Sequence, residues 1–233
     1  TLLFSPTQQG IENLKNEGML GHSGPFSAVH PGVFLCGDVM YDNALHYGAQ
    51  ASLHPDVSRF EGKRFVLSTI HRDHNTDDPS VLKAIVETLL NLTAEHGLNW
   101  ILPVHPRLKK NLELQPELLS KLEHAAHVHL IQPVGYIAML QLERMSVMIV
   151  TDSGGVQKES YFAQRPCIIL RSTTEWTEIV QQGRAILTGG NPEHISEAFV
   201  KLIDAKFDSW PELYGDGKAA ESIAAEIDRL IHG

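Results

Sequence analysis

The sequence contains only two cysteines among its 233 residues, Cys36 and Cys167, and each lies in a short apolar run. Two thiols are too few for a disulfide framework and give no zinc-ligand spacing, so we expect both to be buried and reduced. No apolar stretch approaches the ~18 residues that a membrane-spanning helix needs, and no secretory signal peptide is recognisable. These absences predict a cytoplasmic protein without membrane contact.

Basic residues are also few, since 19 Lys and Arg stand against 28 Asp and Glu and give a net charge of -9 with His neutral. A protein that binds duplex nucleic acid needs a basic face to neutralise phosphates, so that class of function is disfavoured. A small anionic ligand remains compatible, because a few amides and side chains can outweigh the global charge locally.

From residue 64 onward, short apolar runs alternate with helical patterns. The runs have the length of buried strands and cover residues 65–70, 100–104, 128–131, 147–150, 167–170 and 185–187. Helical spacing predicts helices at 79–96, 136–145, 155–164, 175–182 and 192–205, and Pro116 predicts two short helices within 112–124.

Six strand–helix units in a row favour parallel strand pairing with right-handed crossovers. The predicted fold class is therefore α/β, with a Rossmann-like, doubly wound parallel sheet. Sheets of this kind bind ligands beyond the carboxyl ends of their strands. The segments that directly follow the strands are thus where functional residues are expected.

The first 60 residues have a different pattern. Strands are predicted at 2–5 and 33–36, around a helix that contains Ile11, Leu14 and Met19, and a loop of small residues covers 21–31. This piece is too small for a core of its own. We interpret it as the remnant of an N-terminal domain, and the start at Thr1 without Met favours a chain cut from a longer protein.

The resulting domain prediction has three parts. Residues 1–60 are the N-terminal remnant with a helix at 43–51 and a linker at 53–62, and residues 61–206 are the Rossmann-like domain. Residues 207–233 are an irregular segment to 217 and a final helix at 218–231, which we expect to cross back to the N-terminal domain.

The strongest local motif is VTDSGGVQKE at residues 150–159. A buried strand ends, and two glycines then open a helix whose free amides and dipole favour an anion such as a phosphate. Ser153 is also a good N-cap, so a plain capped helix explains the same letters. Glu159 is either an acceptor for ribose hydroxyls or a solvated surface residue.

A second motif, TIHRDHNTDD, lies at another strand end, at residues 69–78. His71 is a candidate proton shuttle or diphosphate donor and Arg72 a second anion ligand. The pair could instead stabilise the carboxylates of its own loop. A metal site is disfavoured because no HxH or HExxH spacing is present.

Two further strand ends carry basic residues, in LPVHPR at 102–107 and LRSTTEW at 170–176. Arg171 suits an anion contact, and Thr173 or Thr174 is the predicted N-cap of the next helix. Each of four neighbouring strand ends thus carries His, Arg or Ser-Gly-Gly. A structural explanation for each motif by itself does not predict this convergence.

These four motifs, with SPT and ENL in 5–14, CGDVMYD at 36–42 and YGDG at 214–217, resemble in order and spacing the non-hydrolysing UDP-N-acetylglucosamine 2-epimerases. The resemblance covers essentially the whole chain. It implies a fold like that of glycosyltransferase-B proteins, with two Rossmann-like domains and the active site in the cleft between them, of which this chain carries the second half.

The resemblance also implies a reaction that interconverts UDP-N-acetylglucosamine and UDP-N-acetylmannosamine by elimination of UDP and its re-addition. His71 matches a histidine that reaches the diphosphate and serves catalysis, and Glu159 matches a ribose ligand. The diphosphate-binding turn corresponds to Ser153, Gly154 and Gly155.

Other family positions are matched less directly. Met139 stands where some relatives have an aromatic residue near the uracil, and Tyr136 is the alternative platform for the base. Arg171 is a further candidate for UDP binding. Arg72 and His105 match positions that are linked in bacterial relatives to a second, regulatory UDP-sugar site.

The resemblance implies no cofactor, no metal, no nucleic-acid or membrane partner, and a homodimer for the full-length protein. The acidic groups that act at C2 in the family lie upstream of Thr1, so the chain alone is expected to bind UDP weakly without turnover. The alternatives are a hydrolysing epimerase, a glycosyltransferase-B enzyme and a UDP-sugar sensor without activity.

Overall fold

The computed structural model describes residues 1–19, 24–50 and 52–232, and for residues 49 and 50 the backbone only. The chain divides into two compact units. We call residues 1–50 and 209–233 the terminal unit, and residues 51–208 the sheet unit. Within the described residues, no helix is both long enough and apolar enough to cross a membrane.

Among its described residues, the terminal unit has a parallel pair of short strands and three helices. Its elements are β1 (Leu2–Ser5), α1 (Gln8–Asn16), β2 (Gly32–Leu35), α2 (Val39–Gln50) and α11 (Ala219–His232). The carboxylate of Asp42 in α2 accepts the N–H groups of Ala219 and Ala220. These amides belong to the first turn of α11, which has no partners for them within the helix, so Asp42 ties the C-terminal helix to α2.

The sheet unit carries six strands and eight helices among the described residues. The strands are β3 (Phe65–Thr69), β4 (Asn99–Pro103), β5 (Val128–Ile131), β6 (Met148–Thr151), β7 (Cys167–Ile169) and β8 (Ala185–Leu187). The helices are α3 (Asp73–Thr76), α4 (Pro79–Glu95), α5 (Pro106–Glu113), α6 (Pro116–His124), α7 (Tyr136–Met145), α8 (Gly154–Phe162), α9 (Thr177–Gln181) and α10 (Pro192–Ile203). A 3₁₀ turn at Ser58–Phe60 precedes β3.

The six strands are all parallel and follow the order β5-β4-β3-β6-β7-β8. From β3 the chain adds β4 and then β5 on one side of the sheet. It then returns, and β6 pairs with the other side of β3. The direction of winding therefore reverses between β3 and β6, where Thr69 pairs with Thr151. In open parallel sheets, such a reversal opens a crevice at the carboxyl ends of the two strands.

The core surrounds the middle of this sheet. Every residue of β6 and β7 is buried, and the outer strands β5 and β8 are only partly so. Burial on both faces explains why the central strands are continuous apolar runs instead of alternating ones. Helices α4 and α10 begin with a side-chain cap followed by proline, from Asp78 and Asn191, which fixes their starts.

The predicted doubly wound α/β sheet is confirmed, with each of its six strands within one residue of the predicted ends. The helix that begins at Pro116 and the irregular segment before α11 are also confirmed, but the first of the two short helices covers Pro106–Glu113 and so begins before residue 112. The predicted loop at 21–31 lies partly outside the described residues, as does the last residue of the predicted helix at 43–51.

Some details were wrong. Helix α1 ends at Asn16, so Met19 lies outside it, and α2 begins at Val39, four residues earlier than predicted. Cys167 is buried as expected, but Cys36 is only partly buried, and both are free thiols. Cys36 directly follows β2, a strand of a two-stranded sheet that is itself only partly buried.

A buried hydrogen bond joins β3 and β4 across the core, because the indole Nε1 of Trp100 donates to Ser68 Oγ at 2.9 Å and both side chains are fully buried. Ser68→Ala leaves the indole N–H without an acceptor and is expected to lower the free energy of unfolding by about 1–3 kcal/mol in urea denaturation. In a Trp100→Phe background, the same substitution should cost much less. Equal costs in both backgrounds would contradict this assignment.

Candidate functional site

A fully buried carboxylate, that of Asp152, stands at the carboxyl end of β6. It accepts the backbone N–H of His71 at 3.0 Å and of Arg72 at 2.9 Å, and the side-chain N–H of Asn75 at 3.0 Å. A buried charge is tolerated when several donors replace the water it has lost. Asp152 therefore fixes the segment after β3 against the end of β6.

The ring of His71 is oriented by the same carboxylate. Its Nδ1 lies 3.2 Å from Asp152 Oδ1, and 30% of the side chain is exposed. Burial lowers the pKa of His71 below the usual value; the charge of Asp152 opposes this, and His105, Arg72 and Arg107 lower it further. With Nδ1–H donated to Asp152, the neutral ring presents Nε2 toward the open side.

His105 lies beside His71, with ring centroids 5.3 Å apart. It is the N-cap of α5, where its Nδ1 accepts the backbone N–H of Arg107 at 3.2 Å. This bond assigns the hydrogen of the neutral ring to Nε2. Both neutral imidazoles therefore present Nε2, that of His71 as an acceptor and that of His105 as a donor.

The turn from β6 into α8 keeps its polar groups open. Ser153 is the N-cap of α8, but its hydroxyl makes no capping bond, and its backbone N–H donates to Thr151 Oγ1 instead. The plain capped-helix explanation of SGG is therefore wrong. A Cβ on Gly154 would meet other atoms only at 3.8 Å or more, so packing does not require glycine here. A glycine at this place leaves room above the first amides of α8.

Arg171 follows β7 and reaches the same turn. Its guanidinium makes two hydrogen bonds to Glu175, at 2.9 and 2.8 Å, and one nitrogen lies 3.9 Å from where a Cβ on Gly154 would be. The pKa of Glu175 is lowered, chiefly by its hydrogen bonds from Arg171. The predicted anion ligand is thus already paired with a carboxylate, which also holds its position.

The predicted N-cap at Thr173 or Thr174 was wrong, since α9 begins after Trp176. Thr174 Oγ1 instead accepts the backbone N–H of Trp176, and the indole of Trp176 donates to the carbonyl oxygen of Gly154 at 2.9 Å. The aromatic ring is turned toward α8 to make this bond, which displaces the helix start. The segment after β7 is therefore attached to the beginning of α8.

Glu159 and Met139 lie on helices α8 and α7. Glu159 is buried and its carboxyl group faces that of Glu143 on α7. Met139 is half-buried and lies one turn before Glu143, while Tyr136 at the start of α7 is exposed. Among the described residues, no hydrogen bond links Glu159 or Met139 to the group around Asp152.

The structure thus brings together His71, Arg72, His105, the Ser153–Gly155 turn and Arg171 at neighbouring strand ends. Their position at adjacent strand ends agrees with the predicted convergence of the motifs, and their binding roles stay predictions. Sequence reasoning assigned no role to Asp152, Asn75 or Glu143. An Asp soon after the apolar run of residues 147–150 was the one available indication for Asp152, because a position at the end of a buried strand is buried and needs donors.

The profile of the UDP-N-acetylglucosamine 2-epimerase family matches residues 1–228. The chain belongs to this family. A UDP-N-acetylglucosamine 2-epimerase homolog of Methanococcus maripaludis is 38% identical over 98% of this chain. The UDP-2,3-diacetamido-2,3-dideoxy-D-glucuronate 2-epimerase of Pseudomonas aeruginosa is also 38% identical over 98% of the chain.

A solved family structure, the Methanocaldococcus jannaschii UDP-GlcNAc 2-epimerase in complex with UDP-GlcNAc and UDP, matches with a TM-score of 0.83 and 33% identity over 98% of this chain. The match covers 61% of that chain, and the two relatives above are matched over 61% and 60% of their lengths. The chain therefore spans about three fifths of these epimerases. The predicted fold, of the glycosyltransferase-B type, is confirmed.

Removing the charge of Asp152 should destabilise the segment that follows β3. Asp152→Asn replaces one acceptor oxygen by an N–H group that faces the amides of His71 and Arg72. We expect the free energy of unfolding to fall by about 3 kcal/mol, because the buried donors lose their partner.

The measurement is urea denaturation, with hydrogen exchange of residues 71–76 as a local readout. Asp73→Asn is the matched control, because that carboxylate belongs to the same segment and is 74% exposed. A loss as large in the control would contradict the central role of Asp152.

Proposed function

We propose that this chain supplies the UDP-binding part of a UDP-N-acetylglucosamine 2-epimerase, which interconverts UDP-N-acetylglucosamine and UDP-N-acetylmannosamine. One observation supports the proposal most. At the reversal between β3 and β6, the imidazole of His71 contacts Asp152, which lies two residues before the first residue of α8. Such a crevice is suited to a diphosphate, since the first amides of α8 can donate hydrogen bonds to it and His71 can take up a proton beside it.

The proposed chemistry is elimination of UDP from C1 together with the proton of C2, which leaves a 2-acetamidoglucal, and re-addition of UDP with return of the proton to the opposite face of C2. The amides of Gly154 and Gly155 would hold the diphosphate at the positive end of the α8 dipole. His71, once protonated, would stabilise the negative charge that develops on the leaving UDP. Asp152 keeps that imidazole in place and compensates its positive charge, as the 3.2 Å contact requires.

The remaining site residues complete the proposed nucleotide contacts. Arg171 lies near Gly154 and would add positive charge to the diphosphate site while it stays bonded to Glu175. Glu159 would accept hydrogen bonds from the ribose, and Met139 would lie against the uracil, with Tyr136 as the alternative platform.

Further parts of the prediction remain proposals. Arg72 and His105 are proposed to belong to a second, regulatory UDP-sugar site, and the full-length enzyme is proposed to be a cytoplasmic homodimer. Residues 1–60, 61–206 and 207–233 are proposed to form the N-terminal remnant, the UDP-binding domain and the returning C-terminal segment.

A second sugar is favoured by one specific observation. The Pseudomonas aeruginosa relative named for a diacetamido glucuronate is as similar to this chain as the Methanococcus maripaludis homolog. UDP-2,3-diacetamido-2,3-dideoxy-D-glucuronate is therefore the alternative substrate to test beside UDP-N-acetylglucosamine.

The 233-residue chain is expected to bind UDP, and His71→Gln to weaken binding about tenfold, because a charged hydrogen bond to the diphosphate is lost. Isothermal titration calorimetry measures both. His124→Gln, an exposed histidine on α6, is the matched control and should bind like the wild type. A chain that folds but binds no UDP would overturn the proposal.

The chain alone is expected to show no turnover, because the family resemblance places the acidic groups that act at C2 outside it. In the full-length enzyme, we expect UDP-N-acetylmannosamine to form from UDP-N-acetylglucosamine without any acceptor. Product analysis by NMR decides this. Free N-acetylmannosamine would instead indicate a hydrolysing epimerase, and a need for an acceptor would indicate a glycosyltransferase.

Binding should also take up protons. The pKa of His71 is below its usual value in the unliganded protein, chiefly through burial, and a diphosphate beside it would raise that pKa. The complex then holds more protons than the free protein, so the affinity for UDP-N-acetylglucosamine should fall as pH rises through neutrality. Calorimetry in buffers of different ionisation enthalpy measures the uptake, which His71→Gln should abolish. Undiminished uptake in that variant would assign it to another group.

A further inference from the structure

A second buried acid in the sheet unit, Glu143, has no part in the interactions described so far. It lies on α7, is fully buried, and neither of its carboxyl oxygens receives an N–H or O–H bond from the described residues. A carboxylate in this position would be costly, because nothing replaces the water it has lost. Glu143 therefore requires a proton or a partner.

The partner is Glu159 of α8, the helix that packs against α7; both residues are buried, and their carboxyl groups interact with each other. Two ionised carboxylates are both acceptors and repel each other. A single proton between them turns the same contact into a strong hydrogen bond. The pair is therefore stable only with one acid and one carboxylate.

The surroundings decide which residue holds the proton. Burial, and then the charge of Glu159, raises the pKa of Glu143 well above its usual value. Burial also raises the pKa of Glu159, but the bond from Glu143 and the charge of Lys158 act against that rise. Glu159 is also slightly exposed, at 8%. Glu143 is thus the acid and Glu159 the carboxylate.

Other titratable groups do not change this assignment. Helix α7 packs against α8 and β3, and β3 contains no titratable residue. Cys167 of β7 also lies near Glu143, but burial raises the pKa of its thiol to about 12, so it stays neutral. Among the described residues, the protonation of Glu143 is therefore set by its burial and by Glu159.

We propose that Glu143 is a positioning residue, which donates its carboxylic proton to Glu159 and so holds the Glu159 carboxylate ionised and turned toward the ribose hydroxyls of bound UDP. Met139, the proposed contact of the uracil, lies one turn before Glu143, so both project from one face of α7. The inference rests on the proposed function for its ligand, whereas the shared proton exists in the unliganded protein.

Two substitutions at Glu143 distinguish the effect of its hydrogen-bond donor from the effect of side-chain packing. Glu143→Gln keeps a donor toward Glu159 and should bind UDP like the wild type near neutral pH. Glu143→Leu removes the donor and should weaken binding about tenfold, as expected for the loss of a charged hydrogen bond. Arg144→Gln, the exposed neighbour on α7, is the control.

A UDP analogue distinguishes the positioning role of Glu143 from a purely structural role. With UDP that lacks the ribose 2′- and 3′-hydroxyls, wild type and Glu143→Leu should bind equally, since the interaction that Glu143 supports is already absent. An unchanged tenfold difference with this ligand would show that Glu143 acts through the general fold, and would overturn the inference.

The pH dependence gives an independent readout. As pH rises and Glu143 loses its proton, the wild type should lose UDP affinity, whereas Glu143→Gln should keep its affinity. His71 titrates in both proteins, so the difference between them isolates Glu143. Identical pH profiles of the two proteins would overturn the inference.

The unliganded protein tests the shared proton without UDP. A group whose pKa is raised by folding stabilises the fold while protonated, and this stabilisation is lost as pH rises through the raised pKa. The stability of Glu143→Gln relative to wild type should thus increase with pH in urea denaturation. Infrared difference spectra should show a protonated carboxylic acid in the wild type that is missing in Glu143→Gln.

The two proposals fail in different ways. If the folded wild type binds no UDP, the proposed function fails and the ribose role of Glu143 fails with it. If the wild type binds UDP and its infrared spectrum lacks the buried acid, the positioning role alone is overturned and the proposed function stands.

Discussion

The buried carboxylate of Asp152 is the interaction on which the site depends. A charge at the end of a central strand is tolerated only because amides from the segment after β3 surround it. Those amides are held in place by the same contact, and the ring of His71 is turned with them. The carboxylate therefore serves as a structural anchor first, and the orientation of the imidazole is its consequence.

Asp152 and Glu143 are two different solutions to the burial of an acid in one unit. Asp152 is surrounded by N–H donors and can remain charged. Among the described residues, Glu143 has no such donors, and burial and the charge of Glu159 favour its neutral acid form. In the same unit, one buried acid is thus stabilised by hydrogen bonds from N–H donors, and the other is stabilised by its own protonation.

The strands could be predicted from the sequence because the central ones are apolar throughout and end at polar residues. Their order in the chain also predicted that the functional motifs meet at one edge. Helix α3 could not be predicted, since its four residues are too few to show a helical period. The start of α9 was missed because the bond from Trp176 to Gly154 is a tertiary contact.

The roles of the buried acids could not be predicted from the sequence either, because they also depend on tertiary contacts. The residues that bind Asp152 precede it by about 80 positions, and only the strand order makes them neighbours. Glu143 occurs in a stretch with ordinary amphipathic spacing, where a glutamate fits a solvated position equally well. Its partner becomes visible only when α7 and α8 are packed together.

The reversal of winding between β3 and β6 has a thermodynamic consequence. His71 and Asp152 are 81 residues apart in the chain, and the two strands that carry them become adjacent only when the chain returns from β5. No short segment can preserve the site once the sheet has come apart. A ligand held there therefore binds the folded state alone, and its binding free energy resists global unfolding of the sheet unit as a whole.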